Sequence, residues 1–257
     1  MAIDGKAVRR SHDWGAGEEP IHLVSAWAEA NRLVLGHVKV QEGSNELTAI
    51  PELLQVKGCI VTTDAAGTYE PFAETIVEKG GEYVLAVKGN QERLHEDLKS
   101  LIAYAQEESF RGVAHDPYCS IEKGHGRIDV RGWWAISEAD FLEHVRGRRG
   151  WPELKTVAMV TSERRMAEKT TREVRYYISS VPSDARLILR AVRGHWSVEN
   201  SLHWVLDMVF RGGESRLRKD NGAHNSALLR RISLNLLKPE QTSKLSLRGK
   251  RLLAGWG

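Results

Sequence analysis

Three acidic residues of this 257-residue chain stand at positions from which their carboxylates could act together. Asp4 lies in a short strand-like pattern that runs into a turn, and Asp64 directly follows the apolar run 60–63. Glu199 lies inside a long helical pattern. Because functional groups collect at the carboxyl ends of strands in α/β sheets, we expect Asp4 and Asp64 to lie at strand ends.

The helical pattern around Glu199 predicts which way its side chain points. One apolar stripe at helical spacing should face the sheet, and it comprises Val198, Leu202, Val205 and Val209. Glu199 and His203 lie at the edge of this stripe on adjacent turns. We therefore expect the Glu199 carboxylate to reach the strand ends that carry the two aspartates.

Three carboxylates at one point repel one another unless a cation neutralises them. Mg²⁺ and Mn²⁺ prefer oxygen ligands, and two such ions roughly 3.5–4 Å apart can stabilise an in-line phosphoryl transfer. Spacing alone leaves plainer interpretations open, since an Asp after a strand is often a turn residue and a helical Glu is often solvated. A zinc hydrolase is disfavoured: His195, Glu199 and His203 have ligand-like spacing, but the His-Glu-x-x-His signature is missing.

The order of the elements predicts a mixed α/β fold. Strands are expected at 22–28, 33–40, 59–63 and 83–87, with helices at 45–56, 70–79 and 91–105. This order implies parallel crossovers in residues 1–111. A β-rich insertion follows at 112–180, then helices at 181–238, including a long one over 183–210 that is broken near Gly194. Residues 239–257 are expected to form a loose basic tail.

Composition limits the classes of function. No apolar run is long enough to span a membrane, the first residues lack an apolar signal region, and the two cysteines, Cys59 and Cys119, are far apart. We therefore expect a cytoplasmic protein.

The two halves of the chain differ in charge: residues 1–128 hold 13 basic and 20 acidic residues, whereas residues 129–257 hold 24 basic and 14 acidic residues. This asymmetry favours a polyanionic partner, with a solvated surface as the plainer alternative.

Nine segments, in order along nearly the whole chain, resemble the DDE transposases of bacterial insertion sequences. The resemblance is specifically to the ISAs-type group, which includes the H-repeat-associated proteins of Rhs elements. The segments are AIDGKAVRRS (2–11), HLVSA (22–26), SNELTAIPELL (44–54), VTTDAAGT (61–68), KGGEYVLAVKGNQ (79–91), HGRI (125–128), RGHWSVENSLHWVLD (193–207), SRLRK (215–219) and LLRRISLNLLK (228–238).

The resemblance implies an RNase H-like mixed sheet flanked by helices, with the β-rich insertion before the helix that carries Glu199. It implies metal-dependent DNA strand cleavage and strand transfer, with Asp4, Asp64 and Glu199 as catalytic residues and as ligands of Mg²⁺ or Mn²⁺, in two ions. Double-stranded DNA is the implied partner, with a nucleoid-associated location, a homodimer as one option for the transposition complex, and neither a membrane nor a small-molecule substrate.

Residues expected to contact DNA lie within the matching segments or follow predicted strand ends. They are Lys6, Arg9, Arg10, Lys88, Asn90, Gln91, His125, Arg127, Arg193, His195, Arg216, Arg218 and Lys219. For Lys88, Asn90 and Gln91 the alternative is a hairpin turn or a turn at the start of a helix. For His125 and Arg127 it is a plain glycine-rich turn.

Two departures from the family pattern affect the expected activity. Proteins of this group carry a further segment before the first catalytic Asp, whereas only three residues precede Asp4 here. We therefore expect an N-terminally truncated chain with a loosely held Asp4 and weak strand transfer. Ala66 and Tyr69 also replace the group's usual residues beside Asp64. The alternatives are a catalytically inactive transposase remnant that binds DNA nonspecifically and a host nuclease of the same superfamily.

Overall fold

The computed structural model describes residues 1–12, 19–40, 56–124, 126–145 and 147–256. They form two compact units, one made of Met1–Leu54 with Gly194–Gly257 and the other of Gln55–Arg193. The helix predicted at 45–56 and the predicted DNA contact His125 lie outside the described residues, apart from Val56. The division at residues 111, 180 and 238 stays a prediction.

The first unit contains an antiparallel sheet of β1 (Ala2–Ala7), β2 (His22–Ala28) and β3 (Leu33–Lys39), with β2 in the centre. The predicted strands at 22–28 and 33–40 are confirmed. Asp4, however, lies within β1 and opposite Ser25, so its predicted position at a strand end is wrong. The expected loose hold on Asp4 is also wrong, because β1 pairs with β2 along its whole length and Ala2 and Ile3 are buried.

The second unit contains the predicted parallel crossover. The strands β4 (Ile60–Thr63) and β5 (Glu82–Val87) are parallel, and α1 (Glu70–Glu78) connects them. Gly80 follows α1 with a φ of 74°, the left-handed conformation that glycine adopts without strain. Helix α2 (Glu92–Glu107) follows β5. The element types predicted for 59–105 are therefore confirmed.

The β-rich segment consists of four long antiparallel strands: β6 (His115–Gly124), β7 (Arg127–Ile136), β8 (Thr156–Arg165) and β9 (Thr170–Ser179). A short helix, α3 (Ala139–Glu143), lies between β7 and β8. Strand β9 pairs with β5, so this unit has the strand order β4-β5-β9-β8-β7-β6. The far ends of β8 and β9 are rich in charged residues, whose cross-strand pairs support a hairpin there.

The C-terminal helices are α4 (Ala185–Val198), α5 (Trp204–Met208), α6 (Gly222–Leu237) and α7 (Leu247–Trp256). A π-helical turn, Glu199–His203, joins α4 to α5. The predicted break near Gly194 is wrong, because α4 continues through it and the irregularity begins five residues later. The predicted loose tail is also wrong, since α7 forms within it. In the part of the chain that the structure describes, every helix is too short or too polar to cross a bilayer.

The buried apolar side chains of the Glu199 helix pack in the core of the first unit beside Trp27 and Leu234. The buried stripe comprises Val198, Leu202, Leu206 and Phe210. Val205 and Val209, which the sequence pattern put in the stripe, are only partly buried. The fold class predicted from the sequence, a mixed α/β architecture with a β-rich insertion before the Glu199 helix, is confirmed.

The amide side chain of Asn235 joins helix α6 to the edge strand β3 through hydrogen bonds, and this contact provides a test of the fold. Asn235 accepts a hydrogen bond from the Val34 backbone N–H at 2.9 Å and donates one to the Val34 carbonyl at 2.8 Å. We predict that Asn235→Leu lowers the free energy of unfolding by about 1–3 kcal/mol, because buried polar groups of Val34 lose their partners. Urea denaturation measures this loss.

The control is Ser233→Ala on the same helix, because Ser233 donates only to the Leu229 carbonyl one turn earlier. This substitution should change the free energy of unfolding by less than about 0.5 kcal/mol. Equal losses from the two substitutions would contradict a specific role for the Asn235 contact.

Candidate metal centre

Strand β1 and the π-helical turn bring Asp4, Glu199 and His203 together in the first unit. His203 Nδ1 lies 3.5 Å from Asp4 Oδ2 and 3.6 Å from Glu199 Oε1. The ligand-type atoms of the three side chains all lie within 4.8 Å of one another, as the donors of a single metal ion would. Two of the three predicted catalytic residues therefore belong to one cluster, and His203 is its third member.

The π-helical turn determines which residues of the helix face the sheet. In an α-helix, residues four apart drift by about 40° around the axis, so a stripe repeating every four residues would wind away from the sheet. The wider turn, closed by i→i+5 hydrogen bonds, reduces this drift. Val198, Leu202 and Leu206 are consequently all buried at a spacing of four. Such turns occur often at functional sites, and here one begins at Glu199.

The cluster spans a gradient from the core to solvent. The side chain of His203 is 2% exposed, that of Asp4 is 22% exposed and that of Glu199 is 74% exposed. Burial lowers the pKa of His203 to about 4, the charge of Lys6 acts in the same direction, and the nearby Glu199 opposes both. His203 is therefore a neutral imidazole at neutral pH and adds no positive charge to the two carboxylates.

Two cations lie close to the cluster without belonging to it. Lys6, two residues along β1 from Asp4, has its Nζ 2.7 Å from Asp207 Oδ2. Arg231 is buried and donates to the hydroxyl of Ser25, the residue opposite Asp4, at 3.1 Å. Burial, together with Arg230, lowers the pKa of Arg231 to about 10, so its guanidinium stays charged at neutral pH. These cations provide positive potential beside the carboxylates.

Asp64 directly follows β4, as the sequence predicts, and caps a short 3₁₀ turn. Its Oδ1 accepts hydrogen bonds from the backbone N–H groups of Ala66 at 3.1 Å and Gly67 at 3.2 Å. Gly67 is required here, because a Cβ at this position would overlap the Thr63 hydroxyl. Asp64 belongs to the second unit, and its convergence with Asp4 and Glu199 stays a prediction.

The amide side chains of Asn90 and Gln91 hold this turn from the start of α2. Asn90 donates to the Ala65 carbonyl at 2.7 Å, and Gln91 donates to the carbonyls of Ala65 at 3.1 Å and Thr68 at 2.6 Å. This bracing role was not predicted from the sequence, although the two adjacent amides after a strand end are a signal for it. Their contact with DNA stays a prediction.

The other residues expected to contact DNA fall into two groups. Arg193 and Arg127 are exposed but paired, Arg193 with Glu122 at 2.8 Å and Arg127 with Asp129 at 3.0 Å. His195 is half-buried. Apart from Lys6, the remaining residues of this set that the structure describes are exposed, and they are Arg9, Arg10, Lys88, Arg216, Arg218 and Lys219. Their contacts with DNA phosphates stay predictions.

The chain is similar to one family model and to several curated proteins, most of which are named as transposases. The family model described as "Transposase DDE domain" matches residues 1–236. The "H repeat-associated putative transposase YhhI" and the "Putative protein YbfL", both of Escherichia coli (strain K12), are each 38% identical to the chain over 97% of its length and 67% of their own. The "Putative transposase YncI" of Escherichia coli O157:H7 is 37% identical over 98% of the chain and 65% of its own length. The chain thus spans about two thirds of these relatives. The matches and the mixed α/β architecture agree with the predicted RNase H-like fold.

The brace behind Asp64 can be tested by hydrogen exchange. We predict that Gln91→Ala accelerates exchange of the Gly67 and Thr68 amides by about tenfold or more, because two hydrogen bonds to the turn are lost. Mass spectrometry of the peptide covering residues 60–72 measures the rate. Lys88→Ala, which alters an exposed side chain of the same segment, should leave it unchanged. Similar rates in both variants would show that Gln91 does not hold the turn.

Proposed function

The chain belongs to the Transposase DDE domain family, and from that membership we propose that it cleaves DNA strands and transfers them by metal-dependent in-line phosphoryl transfer. The observation that carries the proposal is the pair of carboxylates from Asp4 and Glu199, held close together on a paired strand and a helix of the same unit. Asp64, capping the turn after β4, is proposed as the third catalytic carboxylate.

The residues present fit a hard divalent cation. Asp4 and Glu199 offer oxygen donors to one point, and the neutral His203 leaves their negative charge uncompensated from within the cluster. We propose that Asp4, Asp64 and Glu199 hold Mg²⁺ or Mn²⁺, in two ions. Such ions, when bound, stabilise charge on the attacking and leaving oxygens of the phosphoryl transfer.

The side chains and backbone of this unit position the two carboxylates and leave the site accessible to DNA. Strand pairing fixes the backbone of Asp4, and the core packing of Leu202 fixes the helix face that carries Glu199. The 74% exposure of the Glu199 side chain leaves room for a DNA phosphate beside it. Lys6 and Arg231 supply positive potential that favours an approaching polyanion. Double-stranded DNA is the proposed partner, and a homodimer and a nucleoid location stay predictions.

The catalytic proposal predicts metal-dependent nicking of duplex DNA, including any inverted repeats that flank the gene. Asp64→Asn and Glu199→Gln should each reduce the nicking rate by about 100-fold or more, because loss of a direct metal ligand should cost at least as much as loss of the residues that support one. Gel assays with Mg²⁺, Mn²⁺ or a chelator measure the rate. Glu214→Gln, at an exposed position on the same unit, is the matched control.

An unchanged rate in Asp64→Asn, or nicking that survives the chelator, would overturn the catalytic proposal. If all variants bind DNA equally and none cleaves it, the alternative of an inactive DNA-binding remnant is favoured instead.

The exposed basic residues predict where DNA binds. We expect affinity to fall with salt, with a slope of about −0.9 per phosphate neutralised on duplex DNA. Replacing Arg216 and Lys219 with Gln should make this slope shallower by about 2 units, because two phosphate contacts are lost. Fluorescence anisotropy over a salt series measures the slope.

The matched control also removes two positive charges, but from arginines that are already paired. Arg164 Nε lies 2.9 Å from Asp129, and Arg172 Nε lies 2.6 Å from Glu163. The double variant R164Q/R172Q should therefore leave the slope nearly unchanged. A larger effect from the control than from Arg216 and Lys219 would move the predicted DNA surface to the β-rich segment.

A further inference from the structure

The distances around His203 are longer than good hydrogen bonds and close to those between two ligands of one ion. Nδ1 lies 3.5 Å from Asp4 Oδ2 and 3.6 Å from Glu199 Oε1. An N–H···O hydrogen bond spans about 2.7–3.2 Å, so both separations are too long for a good one. Two ligand atoms that each bind one ion at roughly 2.0–2.2 Å lie about 3.0–3.5 Å apart when the angle at the ion is between right-angled and tetrahedral. The observed separations are close to this range.

The burial of His203 makes the arrangement costly without a ligand. The residue is 2% exposed, and Nε2 has no hydrogen-bond partner among the described residues. Burying an unpaired polar atom is destabilising, and an apolar side chain in the same core would avoid this cost. Nδ1 is the ring atom that faces the two carboxylates, so a bond from Nδ1 to a shared cation would offset the cost of burial.

We propose that His203 Nδ1 is a direct ligand of the divalent ion held by Asp4 and Glu199, and that it makes this site favour Mn²⁺ over Mg²⁺. The inference rests on the proposed metal-dependent function but goes beyond its three carboxylates, which offer oxygen alone. Mg²⁺ takes oxygen ligands almost exclusively, whereas first-row transition ions accept imidazole nitrogen readily. One nitrogen in the ligand set therefore discriminates between the two ions without any change in the carboxylates.

The decisive measurement is pulsed electron paramagnetic resonance of Mn²⁺ bound to the whole chain. A coordinated imidazole couples its ¹⁴N nucleus to the Mn²⁺ electrons, and labelling the histidines with ¹⁵N should change that modulation. We expect the nitrogen modulation in the unaltered chain and its loss in His203→Gln. His144→Gln, at an exposed histidine of the second unit, is the matched control and should retain the modulation.

Ion preference provides a second readout. His203→Asp replaces the nitrogen with an oxygen ligand, so the ratio of Mn²⁺ to Mg²⁺ affinity should fall by about tenfold, within the range that single changes around a metal produce. Calorimetric titration with each ion measures both affinities. An unchanged ratio in a folded His203→Asp protein would overturn the proposal, as would Mn²⁺ bound at Asp4 and Glu199 without nitrogen modulation in the unaltered chain.

These outcomes separate the inference from the function on which it rests. If Mn²⁺ binding is weakened by Asp4→Asn and Glu199→Gln but shows no nitrogen coupling, the metal site stands and the role of His203 is wrong. If Mn²⁺ binding is insensitive to Asp4→Asn and Glu199→Gln, the metal site itself fails, and the role of His203 fails with it. Should a His203 variant fail to fold, the spectrum of the unaltered chain still decides.

Discussion

The packing of the Glu199 helix against the sheet of its own unit is the constraint on which the candidate site depends. Val198, Leu202 and Leu206 enter the core at a spacing of four, and the π-helical turn keeps them on one side of the helix. The same turn puts His203 in the core and leaves Glu199 at the surface. A regular α-helix would bury fewer of these apolar side chains while keeping His203 in the core and Glu199 at the surface. The packing that requires the irregular turn therefore also forms the candidate site.

The electrostatics of the site follow from this burial. A histidine in the core loses its proton readily, so the two carboxylates beside it receive no compensating charge from the imidazole. Arg231 keeps its charge although it is buried, because its lowered pKa of about 10 is still well above neutral pH. Its guanidinium donates to the Ser25 hydroxyl and the Ala227 carbonyl. The two carboxylates thus lie near a fixed positive charge that the core of the same unit holds in place.

Local sequence patterns predicted the helices and strands well where neighbouring residues along the chain determine them. The crossover from β4 through α1 to β5 follows from apolar runs bounded by glycines, and Glu199 was assigned to its helix by periodicity. The π-helical turn was not predictable, because the choice of Leu206 over Val205 for the core depends on tertiary packing. Strands were expected in the β-rich insertion, but the extension of β8 and β9 into a long charged hairpin was missed, as was helix α7, because charged segments resemble loops until their partners are known.

The two interpretations that the sequence left open for Asp64 turn out to be compatible. An ionised carboxylate has about four lone-pair directions on two oxygens. The cap of the 3₁₀ turn uses Oδ1 for both backbone N–H groups, and the amides of Asn90 and Gln91 hold the same turn from the other side. A capped and braced aspartate is an immobile one, and metal ligands need such immobility. The turn role is therefore no argument against the catalytic one, because it supplies the rigidity that a ligand at this position would require.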